Sequence, residues 1–313
     1  MNWPDTTNWP GNPTMLTSPL DAGNGIHHEM VRLEKYAPVE YAITQRYLLR
    51  YIPEGATVAD VGVGGGHYSE LLAGWGSKVH LIDVASGLLV AAQERLVKAG
   101  LGGHILSVTH ASATDLSFIA DDSCGAVLML GPFYNLSLPE ERRKAANEAW
   151  RILRKGGFLL AAGINRMTML DWMYSDGPES ILEEREWLVP YVKTGDMPTH
   201  EAGMPSIWHL TTIAEFRSDF TGFQELEFVG VESFAQGHEE NLLKLSPEQA
   251  NAWLDLIEET GRMPEGLGMT GHFLYIGQKE WVSKRIGLGV TEQFKAFEDA
   301  LPETVFVFEH CFW

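Results

Sequence analysis

The feature that most constrains this chain is the stretch 58–69, which reads VADVGVGGGHYS. An apolar, β-favouring run breaks into glycines at 62 and 64–66, and a helical pattern with Leu71 and Leu72 follows. This order predicts a strand, a tight turn and a helix. Glycines let the backbone approach a ligand closely, and the start of a helix offers free N–H groups. By itself, such a turn fits a nucleotide site and a purely structural turn equally well.

Further apolar, β-favouring runs alternate with helical patterns along the chain. The predicted strands are 58–61, 78–83, 104–110, 124–130, 156–164, 225–231 and 272–277. Strand and helix alternate up to residue 164, which implies a parallel sheet with right-handed crossovers. The sequence therefore predicts an α/β fold of the Rossmann-like, doubly wound type, with a mostly parallel seven-stranded sheet.

Several helices carry start signals. Residues 27–51 have a helical pattern with a break at Pro38 and are expected to form a lid. The expected N-caps are Ser86, Ser137 (in a capping box with Glu140), Thr211 or Thr212, and Ser246 (in a capping box with Gln249).

The chain is expected to divide into five parts. Residues 166–210 hold many Trp, Met and Tyr residues without a period of two, which predicts an inserted, mostly helical cap. The aromatic end of the chain is expected to pack back on the domain or on a second chain, as in a homodimer. The expected parts are an N-terminal arm and lid helix (1–52), a cofactor-binding core (53–165), the cap (166–222), the completion of the sheet (223–280) and a C-terminal extension (281–313).

Charge and composition exclude several partners. The formal net charge of −19 disfavours nucleic acid and an anionic membrane surface, because both require clustered Lys and Arg. The chain has two cysteines, no signal-peptide pattern at its start and no apolar run of about 20 residues. These observations predict a cytoplasmic protein without a disulfide framework or a zinc site.

Polar and small residues follow the predicted strands where a ligand would bind. In an open parallel sheet this place lies beyond the carboxyl ends of the strands, where the strand order reverses. Asp83 ends the second strand and can accept both hydroxyls of a ribose, or instead cap the next turn. Ser112 and Ala113 follow the third strand, and residues 130–135 follow the fourth. The arrangement serves NAD or S-adenosylmethionine, and the G-x-G-x-G turn without a second glycine fingerprint favours the latter.

At these residues the chain resembles the class I S-adenosylmethionine-dependent methyltransferases. The segments DVGVGGGHY (60–68), MLGPFYNL (129–136) and ILRKGGF (152–158) are similar to motifs of a branch that acts on small molecules. The stretches 30–48 and 272–279 are similar to the same branch. The resemblance implies S-adenosylmethionine as the cofactor and a small-molecule methyl acceptor, but it does not specify the acceptor.

The resemblance also implies roles for individual residues. Asp60 and the glycines would surround the methionine part of the cofactor, and Asp83 would hold its ribose. Ser112 stands where the family has an acid next to the adenine. The expected cofactor-binding residues are Tyr36, Asp60, Gly62, Gly64, Gly66, Tyr68, Asp83, Ser112, Ala113, Leu130 and Gly131.

Methyl transfer from a sulfonium mainly requires alignment, and an O–H or N–H acceptor also needs a base. The candidate catalytic residues are His28, His209 and Tyr134, with His27 and His272 as further histidines. The candidate substrate-binding residues are Asn135, Arg166, Trp172 and Trp208. The alternatives are surface or core histidines, a surface ion pair for the arginine, and core packing for the tryptophans. No metal is expected, because the acids at 176–186 match no compact metal loop.

Two classes of function fit these observations. The first is a methyltransferase with its acceptor beneath the cap, and the second is a non-catalytic cofactor-binding protein on the same fold. The intact Asp60, glycines and Asp83 favour the enzyme. Its aromatic cap and acidity favour a sulfur or nitrogen acceptor in an amino-acid-like metabolite. The alternative acceptor is a natural-product intermediate that is methylated on oxygen or carbon.

Overall fold

In the computed structural model, which describes residues 23–197 and 208–280, one seven-stranded sheet has the order β3-β2-β1-β4-β5-β7-β6. The strands are β1 Thr57–Val61, β2 Lys78–Asp83, β3 Ile105–His110, β4 Cys124–Met129, β5 Leu153–Ile164, β6 Gln224–Gly230 and β7 His272–Gln278. Strands β1 to β5 pair in parallel, and β7 is antiparallel to both β5 and β6. The predicted mostly parallel, seven-stranded fold is confirmed, and the strand order reverses between β1 and β4.

Helices lie on both faces of this sheet. They are α1 Gly23–Lys35, α2 Pro38–Tyr51, α3 His67–Gly74, α4 Ser86–Lys98, α5 Pro139–Ile152, α6 Arg166–Asp176, α7 Ile181–Thr194, α8 Ile213–Ser218, α9 Pro247–Thr260 and α10 Pro264–Met269. The side chains of α2, α3, α4 and α9 form the core on one face, and those of α5, α8 and α10 form the core on the other. Burial of these apolar side chains stabilises the layers by about 1.5–3 kcal/mol for each large residue.

The N-terminal lid consists of two helices, α1 and α2, and the break before Pro38 occurs where the sequence predicts it. The side chain of Glu239 accepts hydrogen bonds from the backbone N–H groups of Val39 and Glu40, each at 3.1 Å. These N–H groups belong to the first turn of α2, which has no partner for them within the helix. The carboxyl group of Glu239, about 200 residues away in the sequence, therefore caps α2.

Two predicted N-caps are wrong. The N-cap of α4 is Ala85 rather than Ser86, and the N-cap of α5 is Leu138 rather than Ser137, so the expected Ser137 box does not form. Proline prefers the first helical position, so Pro139 makes the residue just before it the N-cap. The same rule makes Ser246 the N-cap of α9, and its capping box is present as predicted. Thr212, one of two residues expected to cap α8, forms a capping box with Glu215.

The inserted cap is mostly helical, as predicted, and consists of α6 and α7 in the part that the structure describes. The expectations for the N-terminal arm before residue 23, and for the packing of residues 281–313 on the domain or on a second chain, lie outside the described residues. No helix in the described ranges is long and apolar enough to cross a membrane.

Candidate functional site

The glycine turn lies at the carboxyl end of β1 and is tied to the end of β2. The backbone N–H groups of Gly62 and Val63 donate to Ile82 O at 2.8 and 3.0 Å. The N–H of Gly64 donates to Asp83 Oδ2 at 3.0 Å, while Asp83 Oδ1 accepts from the N–H of the second residue after it, at 2.9 Å. Asp83 therefore shapes the turn and caps the start of the following loop, and both contacts hold its carboxylate at the carboxyl end of β2, next to the glycine turn.

The four glycines of the turn differ in what surrounds them. A Cβ on Gly62, Gly65 or Gly66 would lie 2.9–3.0 Å from atoms of neighbouring elements, so protein packing alone requires glycine there. A Cβ on Gly64 would have one described neighbour within 4 Å beyond its own chain neighbours, the Glu29 carboxylate at 3.8 Å. Gly64 therefore opens onto a space that a Cβ would fill, which is the cradle that a bound cofactor requires.

Two buried acids lie at the ends of the adjacent strands β1 and β2. Asp60 is 3% exposed and accepts a hydrogen bond from Ser69 Oγ at 2.6 Å, and burial raises its pKa to about 7. Burial also raises the pKa of Asp83, against the effect of the backbone N–H groups bonded to it. Buried acceptors of this kind suit a ligand that brings hydroxyl or ammonium donors.

Helix α1 covers the glycine turn, and its charged residues were not predicted as part of the site. Arg32 Nη1 pairs with Glu40 Oε2 at 2.8 Å, and Arg32 Nε lies 3.5 Å from Glu29 Oε2. Burial raises the pKa of Tyr134, and the carboxylate of Glu29 raises it further. The Glu29 carboxylate lies 3.8 Å from the Cβ position of Gly64, so it faces the open side of the turn, and its charge also raises the pKa of Asp83. The one local sequence signal for Glu29 and Arg32 was their i, i+3 spacing on a helix that was expected to form a lid.

The segment after β4 is a short 3₁₀ helix, Pro132–Asn135, that faces the turn. The Tyr134 hydroxyl donates to Leu130 O at 3.3 Å, and Asn135 Nδ2 donates to Gly131 O at 3.1 Å. The raised pKa keeps Tyr134 protonated at neutral pH, so it can form a wall of the site or donate a hydrogen bond but cannot act as a base. Asn135 is exposed and bonded within its own turn.

The residues expected at the adenine lie at the carboxyl end of β3. The N–H of Ala111 donates to Asp83 O at 3.0 Å, which holds this loop beside β2. The hydroxyl of Ser112 accepts from the N–H of Thr114 at 3.2 Å, and Ala113 is buried. The hydroxyl of Ser112, which stands where the resembling family has an acid, therefore stabilises its own turn.

The tyrosines assigned to the site lie in different surroundings. Tyr36 is 46% exposed and stacks on His28, with ring centres 5.5 Å apart. The imidazole of His28 lies 3.8 Å from a carboxylate oxygen of Glu29. Tyr68 packs against Tyr41, with ring centres 5.6 Å apart.

His209 lies in the cap, between α7 and α8, and is held beside the segment after β4. Its backbone N–H donates to Tyr134 O at 3.0 Å, and its Nδ1 lies 2.9 Å from Asp196 Oδ1. Its Nε2 is buried and has no hydrogen-bond partner among the residues that the structure describes. Burial lowers the pKa of His209 despite the neighbouring carboxylate. A neutral imidazole oriented by a carboxylate is the arrangement of a general base.

The aromatic residues of the cap form a small core of their own. Trp208 is 7% exposed and packs with Tyr191 and Met169. Trp172 and Tyr134 are partly buried against the same cluster. The cap core therefore reaches the segment after β4 at Tyr134, and Trp208 packs in this core, which is one of the two alternatives for the tryptophans.

Arg166 is a correction to the sequence analysis, which placed it at the substrate. It is 4% exposed, and its Nε donates to Leu210 O at 3.1 Å. Its two terminal nitrogens donate to Lys193 O at 2.9 Å and Thr194 O at 3.0 Å, and it also pairs with Glu215. These contacts join the end of α7 to α8, so Arg166 stabilises the cap and has few donors left for a substrate.

A second charged cluster lies between α2 and the start of β7. Glu40, Glu232 and His272 are close enough to hold a metal ion. However, Glu40 is paired with Arg32, and Glu232 Oε1 lies 2.5 Å from His272 Nδ1. Burial would lower the pKa of His272, but the two glutamates raise it to about 9. The ring is therefore protonated at neutral pH, which favours an ion-pair cluster over a metal site and excludes His272 as the base.

The cap also contains a cavity of about 410 Å³ between α6 and α7. Its walls are mostly apolar, and Leu170, Met173 and Leu188 belong to them. The first two pack against the cap core and the third is part of it, so the cavity shares walls with the cluster that reaches Tyr134. Its size lies in the range of small-molecule sites.

Comparisons with known proteins agree with this site. Residues 59–161 match the family described as "Methyltransferase domain". The demethylmenaquinone methyltransferase of Clavibacter sepedonicus is 35% identical over 103 residues, which are 33% of this chain and 39% of the relative. The match thus spans less than half of the relative's length.

Two solved structures share the fold. One, from Listeria monocytogenes, is named as an S-adenosylmethionine-dependent methyltransferase; it has a TM-score of 0.51 and 18% identity, over 78% of this chain and 99% of its own. The other is a chain from a Haloferax volcanii complex with the Trm112 methyltransferase activator, with a TM-score of 0.52 and 18% identity over 81% of this chain and 94% of its own. The cradle at Gly64 and the acid at the end of β2 fit S-adenosylmethionine, the cofactor of this family. Residues 59–161 are therefore similar to a methyltransferase domain, and the sheet that contains them has the fold of these two solved structures.

Proposed function

We propose that this protein transfers the methyl group of S-adenosylmethionine, in line, to a small-molecule acceptor beneath the cap. The observation that carries this proposal is the open cradle at Gly64, which has Asp83 on one side and the lid helix α1 above it. The cofactor supplies a methyl group that is already activated as a sulfonium. The protein therefore needs to align donor and acceptor and to exclude water.

The acceptor that we propose is a sulfur or nitrogen atom of an amino-acid-like metabolite. Tyr134, Trp172 and Trp208 belong to one cluster that extends from the site into the cap. Methylation of a thioether or a tertiary amine gives a cation, and aromatic faces stabilise a cation next to them. The net charge of −19 also favours a neutral or cationic acceptor over an anionic one such as nucleic acid.

Within this proposal, His209 is the base for an acceptor that must lose a proton. Its Nδ1 is held by Asp196, and its Nε2 is buried without a described partner. His28 is the other candidate, but its ring is stacked on Tyr36. A His209→Gln variant is expected to lower kcat for an acceptor with an N–H or O–H group and to leave a thioether acceptor unaffected.

A second acceptor class has its own support. The apolar cavity of about 410 Å³ in the cap suits an apolar molecule, and the curated relative is named for its action on demethylmenaquinone. These observations favour a natural-product intermediate that is methylated on oxygen or carbon. The acceptor screen described next separates the two classes.

The test has two stages. Calorimetry with S-adenosylmethionine and S-adenosylhomocysteine should give binding, and failure of both ligands to bind would refute the proposal. A panel of amines, thioethers, phenols and quinols should then give a methylated product, identified by mass and NMR. Binding without any product would favour the non-catalytic alternative. A homodimer and a cytoplasmic location stay predictions, and light scattering tests the first.

A further inference from the structure

Two charged residues of α1, Glu29 and Arg32, face the space in front of the glycine turn. The backbone carbonyl of Glu29 lies 2.9 Å from the position of a Cβ on Gly65, so the helix lies directly against the turn. Its carboxylate is the described neighbour of the open position at Gly64.

Both residues are charged at neutral pH. Burial would raise the pKa of Glu29, but Arg32 and His28 outweigh it and hold that pKa below its ordinary value. The pKa of Arg32 lies well above its ordinary value despite burial, because Glu40 and Glu29 are next to it. The distance of 3.5 Å between Arg32 Nε and Glu29 Oε2 is at the limit of a hydrogen bond, so the two side chains hold each other weakly.

The position of the pair also matches a particular part of the cofactor. The Glu29 carboxylate lies 3.8 Å from the Cβ position of Gly64, and the N–H of Gly64 donates to Asp83, the acid expected at the ribose. Both Glu29 and Arg32 act on the pKa of Tyr134, on the other side of the space. The methionine part lies next to the ribose in the cofactor, and it ends in an α-ammonium and an α-carboxylate.

Asp60 is a poor partner for that ammonium. Its carboxylate is tied to Ser69 and is only partly ionised at neutral pH, because its pKa is about 7. Glu29 is ionised and faces the open side of the turn. Charge-assisted hydrogen bonds are about twice as strong as neutral ones, so an ionised carboxylate is the better group to recognise an ammonium.

We propose that Glu29 binds the α-ammonium and Arg32 binds the α-carboxylate of the donor's methionine part. This inference rests on the proposed function, because it requires the cofactor to bind at the glycine turn. Binding exchanges the weak contact between Glu29 and Arg32 for one contact from each side chain to the ligand. The lid helix thereby recognises the donor by charge and closes over it.

The test uses three ligands that differ in these charges. S-Adenosylhomocysteine carries both groups, its decarboxylated analogue carries the ammonium alone, and 5′-methylthioadenosine carries neither. Calorimetry measures the affinity of each ligand for the wild-type protein and for the variants Glu29→Gln and Arg32→Gln. Glu34→Gln is the matched control, because Glu34 lies on the same helix and pairs with His67 and Arg95 instead.

Glu29→Gln is expected to weaken the binding of both amine-bearing ligands about 10- to 100-fold and to leave the affinity for 5′-methylthioadenosine unchanged. Arg32→Gln is expected to weaken the binding of S-adenosylhomocysteine alone. Glu34→Gln is expected to leave the affinity for all three ligands unchanged. Should Arg32→Gln not fold, Arg32→Lys is expected to show the same pattern with a smaller loss.

Equal weakening of all three ligands by either variant would show that the residue acts through the fold of the lid, and would overturn the inference. Unchanged affinity of Glu29→Gln for S-adenosylhomocysteine would also overturn it while leaving the proposed function intact. A wild-type protein that binds none of the ligands would refute the proposed function together with the inference.

Discussion

A Gly64→Ala substitution is expected to weaken cofactor binding at a small cost in stability. Gly64 has a φ of +53°, where an alanine is strained by roughly 1–2 kcal/mol. The lower entropy of the unfolded chain offsets about 0.4–1 kcal/mol of this. The free energy of unfolding should therefore fall by only about 1 kcal/mol, because the one described neighbour of the added Cβ is a flexible carboxylate 3.8 Å away.

The cofactor, in contrast, would meet the added methyl group directly. A methyl group forced into a filled site typically costs about 1–3 kcal/mol, which corresponds to roughly a 5- to 150-fold increase in Kd. Gly55→Ala is the matched control. Gly55 has a φ of +73° and no atom within 4 Å of its Cβ position, and it lies in the turn before β1. It should show a similar strain and an unchanged affinity.

Urea unfolding and calorimetry with S-adenosylhomocysteine measure the two effects separately. The reasoning would be refuted by a Gly64→Ala protein that binds the ligand within twofold of the wild type. It would also be refuted if Gly55→Ala lost as much affinity, because the loss would then follow from stability rather than from the space at the turn.

Three further predictions concern stability. The raised pKa of His272, about 9, gives a contribution that is present below pH 6.5 and is lost as the pH rises through 9, on the order of 3 kcal/mol; urea unfolding at several pH values should show this loss, and His272→Gln should flatten it. The raised pKa of Asp60, about 7, gives a contribution to the free energy of unfolding that is present below about pH 4 and is lost as the pH rises through 7. Asp60→Asn should therefore unfold at a higher temperature than the wild type at pH 8 but not at pH 4. Equal melting temperatures at pH 8 would contradict the raised pKa. Arg166→Met should lower the free energy of unfolding by about 2–4 kcal/mol, because it leaves buried carbonyls without donors; urea unfolding measures this loss, and an unchanged free energy of unfolding would contradict the structural role of Arg166.

The elements of the fold could be predicted from the sequence where the signals are local. Strand β2 has the predicted bounds 78–83, because β-favouring residues there are bounded by turn signals. The capping box at Ser246 was predicted and the one at Ser137 failed, although both sequences have the Ser-x-x-Glu/Gln spacing. The difference is the place of the proline, which sets the first helical position and outweighs the match to the box.

The candidate site could be predicted only where its residues are close together in the sequence. Gly64 and Asp83 lie in one strand–turn–helix unit and the strand that follows it, so their spacing in the sequence indicates their role. Glu29 reaches the same space from a helix whose docking depends on tertiary packing. The burial of Arg166 depends on carbonyls contributed by α7 and by the segment after residue 208, which no local pattern specifies.

The carboxyl group of Glu239 at the start of α2 has a consequence for the order in which the molecule is made. Strands β1 to β5 and the glycine turn precede residue 239 in the chain, so they can pair while the ribosome is still synthesising the rest. Helix α2 has to wait for its cap, because Glu239 is added about 200 residues later. Helix α2 therefore reaches its final stability only after β6 has been translated.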